Sequence, residues 1–148
     1  MECFNQSHIG RLSCLSCNAS NIELLCAFYS EGIYPGKPGH NISYRHAIIT
    51  KCKDCNCAQV ERLFHDCFDF EEVFNQYTWY TLNLKDSHKL VEALKECPEP
   101  YSTSCNCRIH NSLRDKCDAL PRSYWSMGVE RDEYHVYHIS LSSLLNCT

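Results

Sequence analysis

Two pairs of cysteines have the spacing of a four-thiolate metal site. Cys14 and Cys17 form one Cys-x2-Cys pair, and Cys52 and Cys55 form the other. Two thiolates this close in sequence can bind one ion without closing a long loop, and two such pairs complete a tetrahedral set of ligands. The spacing therefore predicts that these four cysteines bind a zinc ion.

A second pattern, Cys-Asn-Cys, occurs at 55–57 and again at 105–107. In both places it is followed by five residues, a leucine, three residues and a cysteine. We expect these segments to supply a second zinc site, with His65 as an alternative nitrogen ligand. Its candidate ligands are Cys57, Cys67, Cys105, Cys107, Cys117 and His110. Cys67 and Cys117 also lie on predicted apolar helix faces, where a thiol serves equally well as a small core residue.

The 13 cysteines could instead form disulfides in a secreted protein. Asn-x-Ser/Thr triplets, the acceptor sites for glycosylation, fit that alternative and begin at Asn5, Asn18, Asn41 and Asn146. However, the cysteine count is odd, and the segment from Met1 to Cys14 lacks the apolar stretch of a signal peptide. We therefore expect a protein of the cytosol or nucleus with zinc-bound thiolates.

The composition limits the classes of function. With 148 residues, 44% of them apolar, the chain suits one small domain, 1–148. Its net charge of -4 gives no broad basic surface, which argues against nucleic-acid binding. It has no apolar run of the roughly 20 residues that a membrane helix needs. It also lacks a nucleophile elbow, a phosphate loop and a His-Glu-x2-His helix, so we expect a protein that is not an enzyme.

The spacing of apolar residues predicts an α+β fold. The longest pattern of helical period covers 58–76 and is followed by an aromatic, β-branched stretch typical of a strand. The predicted helices are 22–29, 58–76, 88–96 and the segment from Ile109 to Leu120, which Pro121 ends. The predicted strands are 45–50, 77–84 and 132–141.

Each Cys-Asn-Cys copy thus precedes a predicted helix and then a predicted strand. This order predicts two loosely repeated halves, about 14–84 and 86–148. A zinc ion bound at the start of each helix would stabilise a domain whose core is small.

Three short motifs in the first half follow one another in the order found in a known family. They are Cys14, Leu15, Cys17 and Ile22; then Cys55, Cys57, Leu63 and Cys67; then Phe74, Asn75, Gln76, Trp79 and Tyr80. In their order they resemble the early region four 34 kDa protein family of adenoviruses, of which the chain would be a diverged, shortened relative. The likeness covers roughly residues 14–80.

This resemblance implies a viral accessory protein of the host nucleus and cytoplasm that binds host or viral proteins. Members of the family act as adaptors that bring targets to a cullin ubiquitin ligase through elongins B and C. The box that binds elongins needs a small residue, a leucine, three residues, a cysteine, three residues and an aliphatic residue on one helix. Ser112, Leu113 and Cys117 fit its start, with Leu120 one position before the aliphatic site, which Pro121 occupies. Leu113 and Leu120 are therefore the predicted partner-binding residues.

Two alternatives from other classes remain open at this point. One is a zinc-binding protein that binds nucleic acid or regulates transcription. The other is a secreted, disulfide-rich ligand.

Overall fold

The structure, a computed structural model, describes residues 3–33, 42–68, 72–121 and 132–146. These residues form a five-stranded sheet and two helices. Along the sheet the strands follow chain order. The first four pair antiparallel, and the last pairs parallel with the fourth. The strands are β1 (Ile22–Ile33), β2 (Ile42–Cys52), β3 (Ala58–Phe68), β4 (Glu72–Thr81) and β5 (Asp132–His138). The helices α1 (Leu84–Leu94) and α2 (Arg108–Cys117) lie between β4 and β5 in the chain.

The α+β class predicted from the sequence is confirmed, but the longest predicted helix is wrong. Residues 58–76 form β3 and the start of β4 instead. Val60 lies in the core against the helices, whereas Glu61 and Leu63 are buried on the opposite face of the sheet. Because both faces of β3 are covered, its apolar residues lose the alternation of a half-buried strand and imitate a helical period.

The prediction for 22–29 was also wrong, since these residues belong to β1. The remaining predicted elements are confirmed in type, with shifted ends. The helix predicted at 88–96 is α1, which begins at Leu84 because Asn83 caps it by accepting a hydrogen bond from the Asp86 N–H at 2.7 Å. The later helix is α2, and the strands predicted at 45–50, 77–84 and 132–141 fall on β2, β4 and β5.

The two Cys-Asn-Cys copies have different surroundings. The first lies in the turn between β2 and β3 and leads into a strand. The second lies immediately before α2, and Cys107 is the N-cap of that helix. The two copies therefore lead into different kinds of element, and the predicted repeat of two halves is not confirmed.

One face of the sheet is covered by the helices and forms the main core. α1 contributes Leu90 and Leu94, and α2 contributes Ile109, Leu113 and Cys117. They pack with the sheet residues Cys26, Phe28, Ala47, Ile49, Ala58, Val60, Tyr80 and Leu82. Burying one large aliphatic side chain stabilises the fold by about 1.5–3 kcal/mol, so this face carries much of the stability.

The opposite face is covered by the segment that precedes β1. Phe4, Ile9 and Cys14 from this segment pack against buried residues of β1 and β2. The segment is also held by Glu61, a carboxylate only 1% exposed, which accepts hydrogen bonds from the backbone N–H groups of Gly10 and Arg11. Hydrogen bonding of this kind offsets the cost of burying a charged group.

Candidate metal centres

The first cluster, site 1, consists of Cys14, Cys17, Cys52 and Cys55, whose sulfur atoms all lie within 4.8 Å of one another. Cys14 and Cys17 come from the turn before β1, and Cys52 and Cys55 come from the end of β2 and the turn after it. The Sγ atoms of Cys14 and Cys55 are 3.5 Å apart, and those of Cys17 and Cys52 are 3.6 Å apart. Four sulfurs at about 2.3 Å from a zinc ion would be about 3.8 Å from each other, so site 1 has nearly the dimensions of a tetrahedral zinc site.

The two turns that supply site 1 have matching backbone hydrogen bonds. In each turn the N–H of the first cysteine donates to the carbonyl five residues later, at 2.8 Å from Cys14 and 3.0 Å from Cys52. In each turn the asparagine after the second cysteine donates its N–H to the carbonyl of the first, at 2.9 Å in both. These asparagines, Asn18 and Asn56, have φ angles of 64° and 66°. Asparagine tolerates this left-handed conformation better than most residues, so the pattern Cys-x2-Cys-Asn specifies both turns.

Hydrogen bonds and crowding set the protonation of the site 1 thiols. Burial acts to raise the pKa of Cys14, but hydrogen bonds from the N–H groups of Cys17 and Ser16, at 3.4 and 3.3 Å, outweigh it and lower the pKa to about 7. At Cys55, burial and the neighbouring thiols raise the pKa well above its ordinary value. Without a cation, the four thiols cannot all ionise at this spacing, because their negative charges repel one another. A bound dication would stabilise the thiolate form of each.

The second cluster, site 2, consists of Cys97, Cys105, Cys107 and His110. Cys97 follows α1, the other two cysteines lie in the loop before α2, and His110 is in the first turn of α2. The Sγ of Cys97 is 3.6 Å from the Sγ of Cys105 and 3.2 Å from Nδ1 of His110, which is also 3.4 Å from the Sγ of Cys107. A zinc ion with bonds of about 2.3 Å to sulfur and 2.0–2.1 Å to nitrogen would place these atoms about 3.6–3.8 Å apart.

His110 is oriented by the sheet so that one ring nitrogen is free for a metal. Its Nε2 lies 3.0 Å from the backbone carbonyl oxygen of Ala27 in β1, and the ring is fully buried. Because a carbonyl can only accept, the proton is on Nε2 and the lone pair of Nδ1 points at the thiols. A hydrogen bond from the second ring nitrogen to a carbonyl is typical of histidines that bind metals. Burial, the largest influence, lowers the pKa of His110 and so favours the neutral form that a metal requires.

Cys107 combines two roles at the start of α2. As the N-cap, its Sγ accepts a hydrogen bond from the N–H of His110 at 3.4 Å. Burial acts to raise the pKa of Cys107, but this hydrogen bond and those with neighbouring thiols outweigh it, and the pKa lies below its ordinary value. The helix N-terminus therefore favours the thiolate at the position where a metal ligand is needed.

The loop that carries site 2 is held from several sides. The guanidinium of Arg114 donates to the carbonyl oxygens of Thr103 and Cys105. The carbonyl oxygen of Pro100 accepts from the N–H of Ala27, and that of Tyr101 accepts from the N–H of Phe4, both at 2.8 Å. The loop is thus attached to α2, to β1 and to the segment before β1.

The structure brings together seven of the predicted ligands and leaves Cys57 and Cys117 outside the two clusters. Site 1 contains the four cysteines of the two Cys-x2-Cys pairs, and site 2 contains Cys105, Cys107 and His110. Cys57 lies outside both clusters, and its carbonyl oxygen accepts the Cys52 N–H instead. Cys117 also lies outside them, because the apolar face of α2 turns it into the core, where it is 3% exposed. The ring of His65 stacks on Tyr44, and the side chain of Cys67 lies outside the described residues.

Sequence reasoning missed Cys97, the fourth ligand of site 2. It has no cysteine or histidine within four positions, so no short spacing motif marks it. Cys97 lies at the end of α1, directly before the loop from Pro98 to Ser104 that leads to Cys105. That position is the sequence feature that could have indicated a place near Cys105.

The predicted elongin box does not have the surface that it requires. Leu113 is fully buried and Leu120 is 5% exposed. Both belong to the core between α2 and the sheet. The expectation that Leu113 is available to a partner is therefore contradicted, because the apolar face of α2 already packs within the chain.

Comparison of the chain with protein-family models, curated proteins and solved structures finds no match. Among the described residues, no helix is long and apolar enough to span a membrane. Each cluster offers four thiolate or imidazole donors at distances that could hold one metal ion.

Proposed function

We propose that this protein binds two structural zinc ions, is not an enzyme, and acts by binding other proteins. The observation that carries the proposal is the pair of closed donor sets, one of four cysteines and one of three cysteines and a histidine. Catalytic zinc sites typically have three protein ligands and leave the fourth position for water or substrate. Here protein atoms fill all four positions at both sites, which is typical of structural zinc.

The donor types favour zinc over other metals. Calcium and magnesium prefer oxygen ligands, whereas tetrahedral sets of sulfur with nitrogen favour zinc or iron–sulfur chemistry. Site 2 includes an imidazole with a fixed tautomer, which suits a mononuclear zinc ion.

The positions of the sites indicate what the zinc ions stabilise. Site 1 joins the segment before β1 to the turn between β2 and β3, and site 2 joins the end of α1 to the start of α2. Both joints link parts of the chain that a small core alone would hold weakly. Metal binding is then coupled to folding.

Exposed apolar side chains beside both sites support a role in protein binding. Leu12 is 58% exposed and lies two residues before Cys14. Tyr101 is 46% exposed and lies in the loop between Cys97 and Cys105. Large apolar and aromatic side chains on a rigid, metal-braced turn are well placed to contact a partner.

A place among the adenovirus early region four 34 kDa proteins is the finer form of this proposal. It is supported by the ordered motifs of the first half, three of whose cysteines, Cys14, Cys17 and Cys55, belong to site 1. An adaptor role with elongins B and C and a cullin, in the nucleus and cytoplasm of a host cell, would follow. Since Leu113 is buried, the adaptor surface would have to include exposed residues such as Leu12 or Tyr101.

The structural role of zinc is tested by chelation of the reduced protein. We expect removal of both metal ions to unfold the chain in one transition, which circular dichroism would detect. We expect added zinc to restore the fold. A metal-free chain that keeps its secondary structure would contradict the proposal.

The binding role is tested by affinity purification from host cells with Leu12→Ser and Tyr101→Ser proteins. These substitutions should abolish the co-purification of partner proteins without lowering the stability of the fold, because both side chains are exposed. Val136→Ser is a matched control, since Val136 is 47% exposed and is not a neighbour of either site in the chain. If all three variants co-purify with the same proteins as the unmodified chain, Leu12 and Tyr101 are not part of the binding surface.

A further inference from the structure

The two metal sites differ in their access to solvent. In site 1, Cys17 is exposed and Cys55 is half-buried. In site 2, Cys107 is half-buried, and the other three ligands are buried: His110 is 0%, Cys105 4% and Cys97 8% exposed. A small reagent can therefore reach Cys17 of site 1 directly, whereas no ligand of site 2 is exposed and its three buried ligands require local opening of the fold.

The sulfurs of site 1 are also arranged in two close pairs. Cys14 pairs with Cys55 at 3.5 Å, and Cys17 pairs with Cys52 at 3.6 Å. A disulfide has an S–S bond of about 2.05 Å, so each pair needs to close by only about 1.5 Å. Both pairs connect one turn to the other, and together they use all four thiols. Site 2 has three thiols and an imidazole, so disulfide formation among its own ligands can pair only two of the three thiols.

We propose that site 1 is an oxidation-sensitive metal site, in which a peroxide replaces the zinc ion by two disulfides, Cys14–Cys55 and Cys17–Cys52, while site 2 keeps its ion. The proposal rests on zinc binding at site 1, as described above.

The chemistry balances with hydrogen peroxide as the oxidant. The exposed Cys17 thiolate attacks one peroxide oxygen, the O–O bond breaks, and a sulfenic acid and water form with uptake of one proton. The Cys52 thiolate then attacks that sulfur and the disulfide forms. The displaced hydroxide takes up a second proton and leaves as a second water. A second peroxide converts Cys14 and Cys55 in the same way. Four thiolates thus lose four electrons to two peroxides, four protons are taken up, four waters form, and the zinc ion leaves as a dication.

The oxidised form would retain the fold. The two disulfides hold the turn before β1 against the turn between β2 and β3, which is the connection that the zinc ion provides in the reduced form. The hydrogen bonds from Gly10 and Arg11 to Glu61 do not involve the thiols and persist. Reduction of the disulfides should therefore regenerate a site that binds zinc again.

The proposal is tested on the full chain, purified reduced with zinc, by adding hydrogen peroxide and following released zinc with a chromogenic indicator. We expect one of two zinc ions to leave first and the other at least about tenfold more slowly, since a local opening that costs about 1.4 kcal/mol lowers access tenfold. Non-reducing peptide mapping by mass spectrometry should identify the two disulfides, and circular dichroism should be unchanged.

A matched control is available beside site 1. Cys57 is half-buried like Cys55 but lies outside the cluster, so Cys57→Ser should release zinc at the rate of the unmodified protein. Release of both ions at one rate would overturn the proposal, and so would disulfides within a turn, between Cys14 and Cys17 or between Cys52 and Cys55. A reduced protein that holds no zinc before peroxide is added would instead overturn the proposed function.

Discussion

Cys97 and Cys117 are both buried cysteines of the second half of the chain, but only Cys97 faces a metal cluster. Its sulfur lies 3.2 Å from Nδ1 of His110, whereas Cys117 packs with apolar side chains of the core. Their exposed fractions are 8% and 3%. Cys97→Ala and Cys117→Ala therefore remove the same atom from equally buried positions and differ only in whether a metal ligand is lost.

The expected losses of stability follow from these contacts. Structural zinc contributes about 10–16 kcal/mol in small zinc proteins, so the share of one of four ligands, roughly 2.5–4 kcal/mol, is a lower bound on the cost when the ion is lost. Cys97→Ala should therefore lower the free energy of unfolding by about 3 kcal/mol or more, which is a fall of about 6–12 °C in the melting temperature of a chain of this size. Cys117→Ala loses one small buried group and should cost about 1 kcal/mol.

Both variants are measured by urea unfolding and by zinc content on the same samples. We expect Cys97→Ala to bind one zinc ion fewer than the unmodified protein, and Cys117→Ala to bind the full number. The assignment of site 2 would be refuted if Cys97→Ala kept all of its zinc, or if Cys117→Ala lost an ion.

Three further predictions concern the core, the segment before β1 and site 1. Leu113→Ala should lower the free energy of unfolding by about 2–5 kcal/mol in urea, because it leaves a cavity in a fully buried position; a loss below about 0.5 kcal/mol would indicate a surface residue. Gly10→Ala should cost about 1–3 kcal/mol, because the added Cβ would lie 2.8 Å from a ring carbon of Tyr77 and 3.1 Å from the Glu61 carboxylate; unchanged thermal unfolding would contradict that close approach. Zinc affinity at site 1 should fall as the pH is lowered through about 7, since protons then compete for the Cys14 thiolate; titration with a zinc indicator in Cys97→Ala protein isolates this site, and a pH-independent affinity would exclude thiolate ligation.

The two sites differ in how far the sequence could specify them. The ligands of site 1 come in two local pairs, each closed by its own turn, so the spacing of Cys14 with Cys17 and of Cys52 with Cys55 was enough to group them. The Asn18 and Asn56 positions strengthen that pattern, since both adopt a left-handed conformation. Site 2 depends on where the end of α1 comes to lie, and no spacing in the sequence indicates that Cys97 returns to His110.

The fold shows the same division between local and tertiary causes. α2 could be predicted because its buried apolar residues, Ile109, Leu113 and Cys117, lie on one face at helical spacing. β3 could not, because the helices bury Val60 from one side while Glu61, held by the segment before β1, and Leu63 are buried on the other. Glu61 can be buried to 1% exposure because its carboxylate accepts hydrogen bonds from the N–H groups of Gly10 and Arg11. The local sequence around Glu61 does not reveal these contacts.

Whether both clusters hold zinc can be measured by X-ray absorption at the zinc edge, on protein purified under reducing conditions and with its zinc content determined. We expect two zinc ions per chain and an average shell of about seven sulfurs at about 2.3 Å to one nitrogen at 2.0–2.1 Å over the two sites. A folded, reduced protein without zinc, or a first shell dominated by oxygen, would contradict this account.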